Sequence, residues 1–77
     1  MYNKLIALIK MVRQAPTLGD CMSWYSDIQS TITILFVLSE LTSKQADDLT
    51  AKLLFARMDR ATELRAQALL KEGGRMT

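Results

Sequence analysis

Histidine is absent from this 77-residue chain, and with it goes the one side chain that titrates near neutrality without help. Ser-His-Asp hydrolases, proteases of the Cys-His type and histidine-based nucleases are therefore excluded. A single cysteine, Cys21, permits no internal disulfide. It also rules out an all-cysteine zinc site, just as the missing histidine rules out the mixed ones. Carboxylate chemistry survives these absences, but it needs a concave pocket, and a short helical chain offers little room for one. The expectation is a protein that is not an enzyme and carries no cofactor or metal.

Charge of one sign is also scarce. Ten Lys/Arg face eight Asp/Glu, for a net charge of +2. Nucleic-acid-binding modules of this size usually carry a larger and more clustered positive excess, so the balance permits such binding without arguing for it. Long hydrophobic runs are missing too. The apolar start, Leu5 to Ile9, is broken by Lys10 and fails as a secretory signal. The uncharged span Ile28–Ser39 is too short to cross a bilayer, which takes about 20 residues. Together with one unpaired cysteine, this points to a soluble chain of the reducing cytoplasm.

What is present is apolar and helical in character. Hydrophobic residues make up 49% of the chain and aromatics only 6%, too apolar for disorder and rich in Leu, Ile, Ala and Met. A lone core of this size seldom supplies more than ~3–5 kcal/mol. With disulfide and metal excluded, assembly is the remaining staple.

Punctuation divides the chain at Pro16–Gly19, at Leu41–Ser43 and at Gly73–Gly74. The spacing of Leu5, Ile6, Leu8, Ile9 and Val12 predicts an amphipathic helix over residues 2–14, stopped by Pro16. Its basic face reads as solvated rather than membrane-bound. Thr17 caps a second helix, residues 17–40, with Asp20 in its first turn. Leu18, Cys21, Met22, Tyr25, Ile28, Ile32, Leu35 and Phe36 form its stripe. The β-branched stretch Thr31–Val37 suits a strand by propensity, but the stripe runs through it in phase and no partner strand exists. Thr42 and Gln45 make a capping box, with Leu41 as its staple. That box starts a long helix, residues 43–72, ended by Gly73 and followed by a short disordered tail, 73–77. Asp48 and Lys52 are spaced for a helical ion pair.

The uneven lengths carry the functional expectation. Helices two and three fold back on each other, bringing Ile34 toward Leu49, Ile28 toward Phe55 and Met22 toward Ala61. The third helix then overhangs. At about 100° per residue, Ala46, Leu49, Leu53 and Leu64 share one side of it. Leu54, Met58, Ala61 and Leu69 lie on a second side, with Phe55 beyond. Ile34, Val37 and Leu38 likewise leave the stripe of the second helix. A helix apolar on several sides is buried on several sides, and one short first helix cannot cover all of this.

The candidate interface residues are therefore Trp24, Leu54, Phe55 and Met58, with Arg57 and Arg60 beside them. Trp24 is a natural anchor, and Met58 packs adaptably. Arg57, Arg60, Arg65, Lys52 and Lys71 spread around the third helix among Asp59, Glu63 and Glu72, unlike the one-faced array of a DNA-reading helix. Cys21 reads as a core residue, and Asp20 with Asp27 lack the third acidic neighbour a magnesium site needs.

Taken together, the chain is expected to be one all-α domain, residues 1–77. Its architecture is a three-helix bundle or helical hairpin with a long C-terminal helix, completed by homodimerisation. Its size, its lack of catalytic apparatus and its incomplete core resemble the small accessory proteins of bacteriophages, prophages and plasmids, in type rather than in motif. Such proteins act by occupying the surface of another protein, as antirepressors and anti-defence inhibitors do. The expected function is a non-catalytic protein–protein interaction module that regulates or inhibits its partner. The alternative is a dimeric nucleic-acid-binding regulator using Arg57, Arg60 and Arg65 on phosphates.

Overall fold

The computed structural model describes residues 2–76, with side chains described through Lys71. Three helices follow in order, α1 Tyr2–Arg13, α2 Leu18–Val37 and α3 Ser43–Met76, and no strand occurs among the described residues. Each helix packs on both others, giving an elongated unit of 56 × 17 × 16 Å.

Both expected caps form. The Thr17 hydroxyl accepts from the Asp20 amide at 3.1 Å. Thr42 and Gln45 satisfy each other reciprocally: the Gln45 amide donates to Thr42 Oγ1 at 3.1 Å, and the Thr42 amide to Gln45 Oε1 at 3.0 Å. Two donors left orphaned at the start of α3 are thereby paired. Leu41, just before the cap, is buried.

The β-branched stretch is helical, as its phase implied. Thr31 and Thr33 settle into α2 by donating their hydroxyls to the carbonyls of Asp27 and Gln29, one turn back. The end of α2 comes earlier than Glu40, however. Ser39 adopts a left-handed conformation, φ 62°. The Glu40 amide then reaches the Leu35 carbonyl at 2.9 Å and the Ser39 amide the Phe36 carbonyl at 3.0 Å. That pair of bonds is a Schellman closure. It turns the chain after Val37, where no glycine or asparagine marks the place.

The expected end of α3 at Glu72 is also corrected. Helical backbone continues through Gly73 and Gly74 to Met76, which displaces the short tail expected at 73–77; Thr77 lies outside the described residues. Glycine inside a helix costs about 1 kcal/mol relative to alanine but does not forbid it, and no proline follows to force a stop.

The core is a single cluster. Leu5, Ile9, Val12 and Ala15 come from α1 and its end, Cys21, Ile28 and Ile32 from α2, and Leu41, Leu49, Leu53 and Ala56 from the turn and α3. Tyr2, Ile6, Trp24, Tyr25, Leu35 and Ala46 pack against its rim. Leu18, Met22 and Phe36, read from the sequence as part of the α2 stripe, are exposed instead. They lie on the flank of the stripe turned away from α1, where no third element covers them.

Candidate functional site

One short helix can cover only one of the two grooves between α2 and α3, and the contacts of α1 fix which one. At its start, Tyr2 donates its hydroxyl to Asp48 Oδ2, and Lys52 Nζ donates to the Tyr2 hydroxyl at 2.9 Å. Lys52 also pairs with Asp48 at 2.9 Å, so the expected helical ion pair forms and Tyr2 joins it. These bonds hold the Asp48 carboxyl below its ordinary pKa, the Tyr2 hydroxyl first and Lys52 second. The Lys52 ammonium is raised, again chiefly through Tyr2.

At the other end of α1, Arg13 pairs with Glu63. Arg60 Nε donates to the carbonyl of Ala15 at 2.6 Å, and its Nη1 to Glu63 Oε2 at 3.0 Å. The Glu63 carboxyl is lowered by the Arg13 hydrogen bond first and by Arg60 second. Arg13 is raised in turn by Glu63. So α1 is latched to the flank of α3 that carries Asp48, Lys52, Arg60 and Glu63.

The opposite flank is bare. There Leu54 and Met58 of α3 face solvent, and a shallow cleft of ≈230 Å³ opens among Met22 of α2 and Arg57, Met58, Ala61, Thr62 and Arg65 of α3. Leu18 and Phe36, near the two ends of α2, are exposed as well. Ile34, Val37 and Leu38 expose a further patch at the end of α2 that meets the turn. Residues 65–71 of α3 are all exposed, Leu69 and Leu70 among them. The expected overhang and the expected second apolar side of α3 are both present.

The candidate interface residues do not form one group. Leu54 and Met58 share the bare flank. Phe55, 62% exposed, is one residue further round the helix, on the back of α3. Trp24 lies elsewhere: it is half-buried between α1 and α2, in a mostly apolar cleft of ≈190 Å³ with Leu8, Met11, Asp27 and Ile28.

The arginines are largely occupied within the fold. Arg57 lies over the Tyr25 ring, 4.5 Å from its centroid, a cation–π contact. Arg60 is only 17% exposed and makes the bonds described above. Arg65 is exposed. Arg60 is thus held within the fold, while Arg57, over the Tyr25 ring, and Arg65 both border the cleft beside Met22 and Met58. Cys21 is fully buried, with its thiol directed at the Arg57 carbonyl at 3.9 Å. No group of three His, Cys, Asp or Glu side chains approaches metal-binding geometry among the described residues. No helix among them is long and apolar enough to cross a membrane.

Sequence reasoning did not find the Tyr2–Asp48–Lys52 cluster or the Arg60–Ala15 bond. The first joins residues 46 positions apart; the second uses a backbone acceptor, which leaves no trace in residue type.

Comparison with protein-family models, curated proteins and solved structures gave no match to this chain.

Proposed function

We propose that this chain is a non-catalytic protein-binding module, a regulatory or inhibitory accessory protein that acts by covering part of another protein's surface. The observation that carries the reading is the bare flank of the α2–α3 hairpin. Leu18, Met22, Phe36, Leu54 and Met58 stay exposed there while α1 is held on the other side by directed polar bonds. Large apolar side chains left exposed along one flank of a small domain with little core of its own are what a binding partner buries. Absent histidine and the shallow clefts support a binding role over a chemical one.

Affinity capture from the source cells with two baits tests it: the native chain, and a Leu54→Glu, Met58→Glu variant of unchanged helicity. A protein retained by the first and lost by the second is the expected result. Equal recovery by both baits, or recovery by neither under mild conditions, refutes it. A nucleic-acid role would require saturable low-salt binding to duplex DNA or RNA that Arg57→Ala with Arg65→Ala abolishes. The internal engagement of Arg57 and Arg60 weighs against that outcome.

A further inference from the structure

The outward side of α3 carries a second repeat, offset from the core stripe. Asp47, Ala51, Leu54, Met58, Ala61 and Arg65 follow at steps of four, three, four, three and four, the spacing of a coiled-coil seam. At about 100° per residue they fall within about 80° of arc. All are exposed except Ala61, which is half-buried. Asp47 and Arg65, at the two ends, make no ion pair among the described residues, while Asp48, Lys52, Arg60 and Glu63 all do.

Read in opposite directions, this stripe complements itself. Set two copies antiparallel with a two-fold axis at the level of Ala56. Asp47 then faces Arg65 at both ends, Ala51 faces Ala61, and Leu54 faces Met58 across the centre. Opposite charges meet, small residues meet where backbones must approach, and the large apolar side chains interdigitate between them. In the parallel arrangement Asp47 would face Asp47 and Arg65 would face Arg65, both repulsive. A two-fold interface requires one patch to match its own reverse, and this patch does.

We infer that α3 pairs with α3 of a second copy, antiparallel, through Asp47, Ala51, Leu54, Met58, Ala61 and Arg65. The seam spans about 27 Å of helix at 1.5 Å per residue. Met22 of α2 borders it, beside Met58 and Ala61. The pairing goes beyond the protein-binding reading: it gives the bare flank a second copy of this chain as its occupant. The end charges fix direction and register rather than supply most of the affinity.

Sedimentation equilibrium tests the pairing by charge exchange. Asp47→Arg places like charges at both ends and is expected to weaken the dimer about tenfold, more at low salt than at high. Arg65→Asp behaves the same way, and the double variant Asp47→Arg, Arg65→Asp regains the native constant. Orientation is read separately by mixing Ala51→Cys and Ala61→Cys chains with a short thiol-to-thiol linker. An antiparallel dimer links 51 to 61. Two copies of residue 51 would lie about 15 Å apart along the axis and stay unlinked. Buried Cys21 does not compete.

A monomer at every concentration, a dimer indifferent to the charge exchange, or linking of 51 to 51 overturns the inference. Retention of a different protein by the native bait, with the chain itself monomeric, overturns the self-pairing and leaves the protein-binding reading intact. A dimer that captures nothing does the reverse.

Discussion

Replacing Arg60 by alanine removes the latch that ties the end of α1 to α3, and its cost follows from the contacts. Arg60 Nε reaches the carbonyl of fully buried Ala15 at 2.6 Å. A hydrogen bond from a charged donor contributes ~1.5–3 kcal/mol, and orphaning the buried acceptor supplies most of that cost. The Glu63 contact is half-exposed on its acid side and adds little. The cost is therefore ~1.5–3 kcal/mol, about half of what a core this small provides. In a domain of this length each kcal/mol moves Tm by roughly 4–8 °C, so Arg60→Ala should lower Tm by about 10 °C or more. Arg57→Ala, which loses a cation–π contact of ~0.5–1 kcal/mol, should lower it far less. Circular dichroism melts of both variants at equal concentration make the comparison. Equal small shifts, or an Arg60→Ala Tm within about 2 °C of native, would refute the assignment of Arg60 to the fold and return it to the candidate binding residues.

Leu53 is fully buried, so Leu53→Ala should cost ~2–5 kcal/mol and Leu53→Asp should leave the chain unfolded by circular dichroism. Polar substitution of exposed Met58 should leave helicity intact and loosen assembly instead, whereas the same change at Phe55, on the back of α3, should leave both unchanged. Ser39 sits in a left-handed well that costs an L-residue ~1–2 kcal/mol. Ser39→Gly should therefore stabilise by about 0.5–1 kcal/mol after the glycine's extra unfolded-state freedom is subtracted, visible as a Tm a few degrees higher. Acid should weaken the fold through Glu63 and Asp48, whose carboxyls are lowered by Arg13 and Tyr2 respectively. Groups that bind protons less readily when folded contribute stability that is complete above the ordinary carboxylate range. It is lost as pH falls through the lowered values. Melts across that range should show Tm falling, with a shallower fall in Glu63→Gln.

The features legible in the sequence were those set by neighbours. Thr17 and Thr42 could be read as caps because a cap is defined within four residues. The same holds for Asp48–Lys52, one turn apart on one helix. Leu49 and Leu53 were legible as core because helical phase separates them from Leu54 and Met58. The end of α2 was not legible, since a left-handed Ser39 carries no compositional mark. Nor was the division of the candidate interface. Which groove stays bare depends on where α1 docks, and that follows from Leu5, Ile9 and Val12 burying in the core, with Tyr2 on Asp48, Arg13 on Glu63 and Arg60 on a backbone carbonyl beside them. Trp24, an anchor by residue type, is half-buried beside α1 rather than on the flank of Leu54.

Two methionines offer the most direct measurement. Met11, on α1, and Met58, on the bare flank, are both 50% exposed in the single chain, so peroxide should oxidise them at equal rates unless something covers one of them. The rates are read by mass spectrometry on protein recovered from its cells under mild conditions, with any bound partner retained. If the flank bearing Leu54 and Met58 is the binding surface, Met58 is oxidised several-fold more slowly than Met11, and the difference vanishes in the Leu54→Glu variant. Equal rates in the native protein would contradict it.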